Sequence, residues 1–135
     1  MSDLISVAPG VLVATSRHDS ANTVVLASIS EALIIDPSWA PDELDDLAEQ
    51  LTDRGLHVLA GISTHAHFDH MLWHPAFGTA PRYASRYTIA LAKARRDELL
   101  RDWDESLDFG TTLAERDDLT QVFGQLTACL LYTSD

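Results

Sequence analysis

The stretch that decides the reading is Thr64-His65-Ala66-His67-Phe68-Asp69-His70. Three of the chain's six histidines and one aspartate fall within it. In an extended segment His65, His67 and Asp69 alternate onto one side, with His70 directed elsewhere. The set then offers two imidazole nitrogens to one metal, and an oxygen and a nitrogen to a second close by. Such donors suit zinc, iron or manganese. So much imidazole in one short loop has little value for packing, so metal binding is the reading.

Outward from this loop the sequence alternates strands with helices. Residues 57–63 (His-Val-Leu-Ala-Gly-Ile-Ser) are apolar or small, a buried strand that runs directly into the motif. Before them, residues 41–54 place Leu44, Leu47, Ala48 and Leu51 at i, i+3, i+4 and i+7, one face of an amphipathic helix. Pro41 suits its first turn, Asp42 and Glu43 complement its dipole, and Gly55 suits the position past its end. Further upstream, residues 11–15, 23–29 and 32–36 read as strands. The last two, joined tightly at Ser30-Glu31, form a hairpin. After the motif, residues 82–84 are a short strand, and Ser85 is placed to cap a helix over 86–103. Asp108-Phe109-Gly110 reads as a turn, and residues 119–126 fit either a strand or a helix. The fold class is mixed α/β (α+β).

Length and composition bound the rest. The chain has 135 residues, 46% hydrophobic and 22% charged, as expected for one globular domain. Its net charge of −12, from 21 acidic against 9 basic side chains, argues against a nucleic-acid surface. No apolar run approaches the ~20 residues that span a bilayer. The sequence Met1-Ser2-Asp3-Leu4 shows no signal-peptide pattern, so the expected location is cytoplasmic, with no membrane partner. The single cysteine, Cys129, leaves no internal disulfide and no cysteine-based zinc cluster.

The motif resembles the His-x-His-x-Asp-His signature of the metallo-β-lactamase fold superfamily. Ala21-Asn22-Thr23-Val24-Val25-Leu26 is similar to the family's early Asn-containing strand, and Leu33-Ile34-Ile35-Asp36-Pro37 to its apolar strand ending in Asp. The resemblance covers residues 7–84. It implies an αββα sandwich, of which this chain holds the N-terminal half, with metals at the edge where the two sheets meet. Carried over, His65 and His67 bind a first metal, and Asp69 and His70 a second. Asp69 also orients a metal-bound hydroxide, and Asp36 holds the motif loop by hydrogen bonds rather than touching metal. The implied cofactor is zinc, two ions in the complete protein, with iron or manganese compatible. The implied activity is hydrolysis of a small molecule: an ester, thioester, lactone or related electrophile. A mononuclear iron oxygenase of the same fold, and a non-catalytic metal-binding or interaction module, are the alternatives. No oligomeric state follows from the sequence.

The family completes its site with ligands further along the chain, but His74 is the only histidine after the motif. It sits too near the motif to match them, and reads as a loop residue or as a contact beside the site. Residues 129–135 (Cys-Leu-Leu-Tyr-Thr-Ser-Asp) back-translate to a match for a transposon-end sequencing adapter; an ordinary short strand is the other reading. The expectation is a partial domain over residues 1–128 and a non-native tail. In that fragment the apolar faces of residues 24–29 and 32–35 lack a covering layer. His18 and His57 read as surface residues. Trp39 fits either a cleft wall or packing. Six basic residues, Arg82, Arg86, Lys93, Arg95, Arg96 and Arg101, read as a solvated helix face.

Overall fold

A computed structural model describes residues 3–17, 19–37, 41–67, 70–106 and 126–128. The strands among them are β1 (Ile5–Ala8), β2 (Val11–Thr15), β3 (Asn22–Ala27), β4 (Glu31–Ile35), β5 (His57–Ile62), β6 (Arg82–Ala84) and β7 (Thr127–Ala128). They form one sheet in chain order. β1 to β4 pair antiparallel through short turns, and β4 to β7 pair parallel. The switch is made by helix α1 (Pro41–Asp53), which carries the chain back so that β5 runs alongside β4.

Local chemistry sets these elements. α1 starts on Pro41 and ends at Gly55, whose φ of 67° is left-handed. Leu56 N–H there bonds Leu51 C=O at 3.0 Å, closing the last turn. Ser85 caps α2 (Arg86–Ala94), its hydroxyl accepting from Thr88 N–H at 3.1 Å. The single helix expected over 86–103 is two: α2 stops at Arg95, whose φ of −112° and ψ of 18° leave the helical range, and α3 runs Arg96–Ser106. Arg95 then grips Glu98 at 2.6 and 3.0 Å. The β3–β4 turn falls at Ser28–Glu31, two residues earlier than the sequence suggests. Ser28 N–H bonds Glu31 C=O at 2.8 Å, and Ile29 stands 98% exposed at the tip rather than ending a strand. β1 was not expected; four exposed residues at a sheet edge give little pattern to read.

The two faces of the sheet differ. On one, Leu47, Ala48 and Leu51 of α1 pack on Val25, Ile34, Ala32, Ala14 and Val58, with Trp73 and Phe77 closing the end of the layer. Fully buried leucines such as Leu44 and Leu47 contribute about 2 kcal/mol each. Leu44 reaches a second cluster with Met71, Leu72, Ala92 and Leu99, tying α1 to α2 and α3. The alternate residues face the other way, and Leu26 (36%) and Leu59 (44%) stay exposed there. Among the described residues, α1 covers one face of residues 24–27 and 32–35, and the expected lack of cover applies to the other face alone.

The chain leaving the motif is fixed from behind. Trp73 lies so close to Gly61 of β5 that a Cβ there would sit 2.3 Å from its ring. Arg82 of β6 stacks 5.0 Å from the Trp73 ring centroid and donates to Met71 C=O at 2.5 Å. Arg82 is buried, which pushes its pKa down to about 10 and leaves it charged at neutral pH. It therefore does not belong to the solvated basic face expected from the sequence. Of the other five, Arg86, Lys93, Arg95 and Arg101 are exposed and Arg96 is half-buried. No described helix is long and apolar enough to cross a membrane. His18, Trp39, residues 108–110, residues 119–125 and the tail 129–135 lie outside the described residues.

Candidate metal centre

The site is built where β4 and β5 end side by side. Asp36 N–H bonds Ile62 C=O at 2.9 Å, and Ser63 N–H bonds Tyr83 C=O at 2.9 Å, so the strand ends stay in register up to the motif. The chain then turns. His67 N–H bonds His65 C=O, and His70 N–H bonds His67 C=O, both at 3.0 Å. The loop is therefore not extended here, and His70 does not point elsewhere as it would in an extended segment. It folds back until its ring centroid is 4.1 Å from that of His65, with His67 at 6.0 and 6.1 Å from the two.

The ligand atoms of His65, His67 and His70 all lie within 4.8 Å of one another. Two nitrogens bound to one zinc at about 2.0–2.1 Å can be at most ~4.2 Å apart. The set as built suits a small inward movement onto one ion, or sharing between neighbouring ions. His65 and His67 are exposed and His70 is half-buried, so the cluster opens to solution on one side. Borderline donors, convergence and an open approach together fit a transition-metal ion. Asp69 lies outside the described residues.

Asp36 forms the back of the site. Its φ of 54° is a left-handed conformation uncommon for a residue with a Cβ, and it points the carboxylate across to the motif. Oδ1 accepts Thr64 N–H at 2.8 Å, and Oδ2 accepts the Thr64 hydroxyl at 2.7 Å. The Asp36 carbonyl in turn accepts the Thr23 hydroxyl at 2.8 Å. His70 Nδ1 lies 3.1 Å from Oδ2, near enough for attraction though out of line for an ordinary hydrogen bond. Burial opposes charge on Asp36, but His70 and the two Thr64 donors outweigh it and hold the carboxyl below its ordinary range. The group is an anion at neutral pH, and it braces a candidate ligand from behind as carboxylates do in metal sites.

His74 is engaged in another way. Its Nδ1 accepts Ala76 N–H at 3.0 Å, capping the short 3₁₀ turn Pro75–Phe77, and its Nε2 lies 2.8 Å from Asp45 of α1. Both ring nitrogens thus serve the joint between the outgoing loop and α1.

Two features escaped the sequence. Thr64, quoted with the motif but given no role, is the residue Asp36 grips; a hydroxyl directly before the first histidine was its signal. Glu43, read as a helix-dipole residue, is fully buried. It accepts the Ser16 hydroxyl at 2.7 Å, Arg17 N–H at 3.0 Å and the Arg17 guanidinium at 3.3 Å. Burial pushes its pKa up, but the Ser16 hydroxyl and Arg17 N–H act against it and the net shift is downward.

Residues 17–129 match the model of the metallo-beta-lactamase superfamily. Among solved structures, VMB-1 is similar at 23% identity and a TM-score of 0.58, over 70% of this chain and 47% of that one. TMB-1 is similar at 24% identity and a TM-score of 0.57, over 70% and 47%. The metallo-beta-lactamase FIM-1 from Pseudomonas aeruginosa, solved in a mono-zinc form, is similar at 18% identity and a TM-score of 0.56, over 69% and 46%. The chain thus matches about half the length of these structures, and at such identities the likeness shows the fold alone. No curated protein matches it. The family match spans the strand pair, α1, the histidine loop and the helices beyond it, and the chain belongs to the metallo-beta-lactamase superfamily.

Proposed function

We propose that the chain carries the first part of the active site of a metal-dependent hydrolase. The observation that carries this reading is the convergence of His65, His67 and His70 on one point, open to solvent in front and held by Asp36 behind. His65, His67 and His70 would hold the metal, and Asp69, assigned from its place in the motif, would add an oxygen ligand and orient the attacking water. Zinc is the proposed ion, two of them in the complete protein. Bound there, it would supply Lewis acidity and bring a held water's pKa toward neutrality. The chain's own contribution is geometric: Asp36 and Thr64 fix the loop, and the Trp73–Gly61–Arg82 stack fixes its exit, so the ligands need little reordering on binding. The substrate is a small molecule with an electrophilic carbonyl, an ester, thioester or lactone. We assign the protein to the cytoplasm and give it no nucleic-acid or membrane partner.

The test is metal analysis and a hydrolysis panel on the complete gene product. Two zincs per chain and turnover of one of these classes, both lost in His67→Ala, support the reading. A single iron with oxygen consumption would replace hydrolysis by oxidation. Bound metal without turnover of any class would leave a binding module.

A further inference from the structure

The Thr64 hydroxyl has one proton, and two groups compete for it. Asp36 Oδ2 lies 2.7 Å away and, as a carboxylate, can only accept. His65 Nδ1 lies 2.9 Å away. The proton therefore points to Asp36, and the hydroxyl oxygen is left to accept from His65, which requires hydrogen on Nδ1. The same carboxylate oxygen stands 3.1 Å from Nδ1 of His70. That approach is out of line with the ring nitrogen, so it fixes no tautomer at His70.

We infer that Thr64 is a positioning residue that relays Asp36 to His65, so that one buried carboxylate sets the tautomer of His65 through the hydroxyl. The ring then presents Nε2 as the lone-pair nitrogen. Neutral histidine in water prefers hydrogen on Nε2, so the relay reverses the intrinsic preference at this ring. A metal meets a donor already in the required form, with no tautomer shift to make on binding. The inference rests on reading His65 as a metal ligand, but its first readout needs no metal.

The test uses ¹⁵N-histidine-labelled, metal-free protein above the histidine titration range. Long-range ¹H–¹⁵N correlation distinguishes the protonated ring nitrogen from the bare one. The expected result is the Nδ1–H pattern at His65. In Thr64→Val, which keeps the shape and removes the hydroxyl, His65 should move toward the Nε2–H form while His70 keeps its pattern. Zn²⁺ affinity should fall about tenfold. Thr64→Ser should restore both the pattern and the affinity. An Nε2–H pattern at His65 in the unsubstituted protein, or a pattern unchanged by Thr64→Val, would overturn the relay. Either readout is independent of turnover, so an absence of hydrolase activity would count against the proposed function and not against the relay.

Discussion

Asp36 and Glu43 stand seven residues apart and use one piece of chemistry twice. Each is a buried carboxylate that collects a hydroxyl, a backbone N–H and a nitrogenous side chain. For Asp36 these are Thr64 Oγ1, Thr64 N–H and His70. For Glu43 they are Ser16 Oγ, Arg17 N–H and the Arg17 guanidinium. The difference lies in what is held. Glu43 fastens the segment after β2 to the first turn of α1, through a cation that never loses its charge. Asp36 fastens the histidine loop, through a ring that can itself bind metal. Burial and bonding alone do not mark a functional carboxylate; the partner's chemistry does.

Removing each carboxylate should separate the two roles. Glu43→Ala leaves the Ser16 hydroxyl and Arg17 N–H without their acceptor in a dry joint. Stability should fall by about 3 kcal/mol. Zinc affinity of the folded fraction should not change. Urea unfolding and zinc titration of the same samples read both; a weakened zinc site at full stability would reverse the roles assigned here.

The histidines sharpen the contrast from the other side. His67→Ala removes a proposed ligand, so zinc affinity, read by chelator competition, should fall more than ~100-fold, beyond the usual loss for a supporting residue. His74→Ala should leave zinc affinity intact and cost about 1 kcal/mol of stability, the usual loss for a helix cap. Bound metal lost in His74→Ala would move that ring into the site.

Asp36→Asn tests the supporting carboxylate itself. The amide keeps the size but gives up the charge and one acceptor, so zinc affinity should fall by ~10-fold or somewhat more. Stability should fall by less than in Glu43→Ala. A variant that binds zinc as the parent does would reduce Asp36 to a second Glu43.

The same pair shows how far the sequence could be read. α1 was legible because Leu44, Leu47, Ala48 and Leu51 repeat at helical spacing and the termini carry Pro41 and Gly55. β4 and β5 were legible as apolar runs, and Asp36 because it ends one of them. The histidine cluster was visible as composition, but its shape was not: an extended segment would send His70 elsewhere, whereas turn bonds between His65, His67 and His70 bring the last ring back. Glu43 was hidden because its partners, Ser16 and Arg17, are remote in sequence, and an acid in a first helical turn already has a local explanation. The break at Arg95 was hidden because no Gly or Pro marks it.

The smallest effect expected is on the pH dependence of stability, since it reads only the difference between two protonation states. Both groups have native pKa values below their ordinary ones of 3.8 for Asp36 and 4.5 for Glu43. In both, burial acts against the shift and is outweighed: at Asp36 by His70 and Thr64, at Glu43 by Ser16 and Arg17. Near these values the native state therefore binds fewer protons than the unfolded chain. Stability rises with pH through that window and is lost as pH falls through the native values. The penalty of Asp36→Asn or Glu43→Gln, measured as a urea-midpoint difference from the parent, should be full at neutral pH and shrink in acid. Shrinkage should begin at higher pH for Glu43, whose ordinary value is the higher. A penalty for Glu43→Gln that holds constant down to the acid limit would mean its carboxylate is no easier to ionise in the folded chain than in the unfolded one. The joint to α1 would then rest on shape and hydrogen bonding rather than on charge, and the likeness between the two carboxylates would end there.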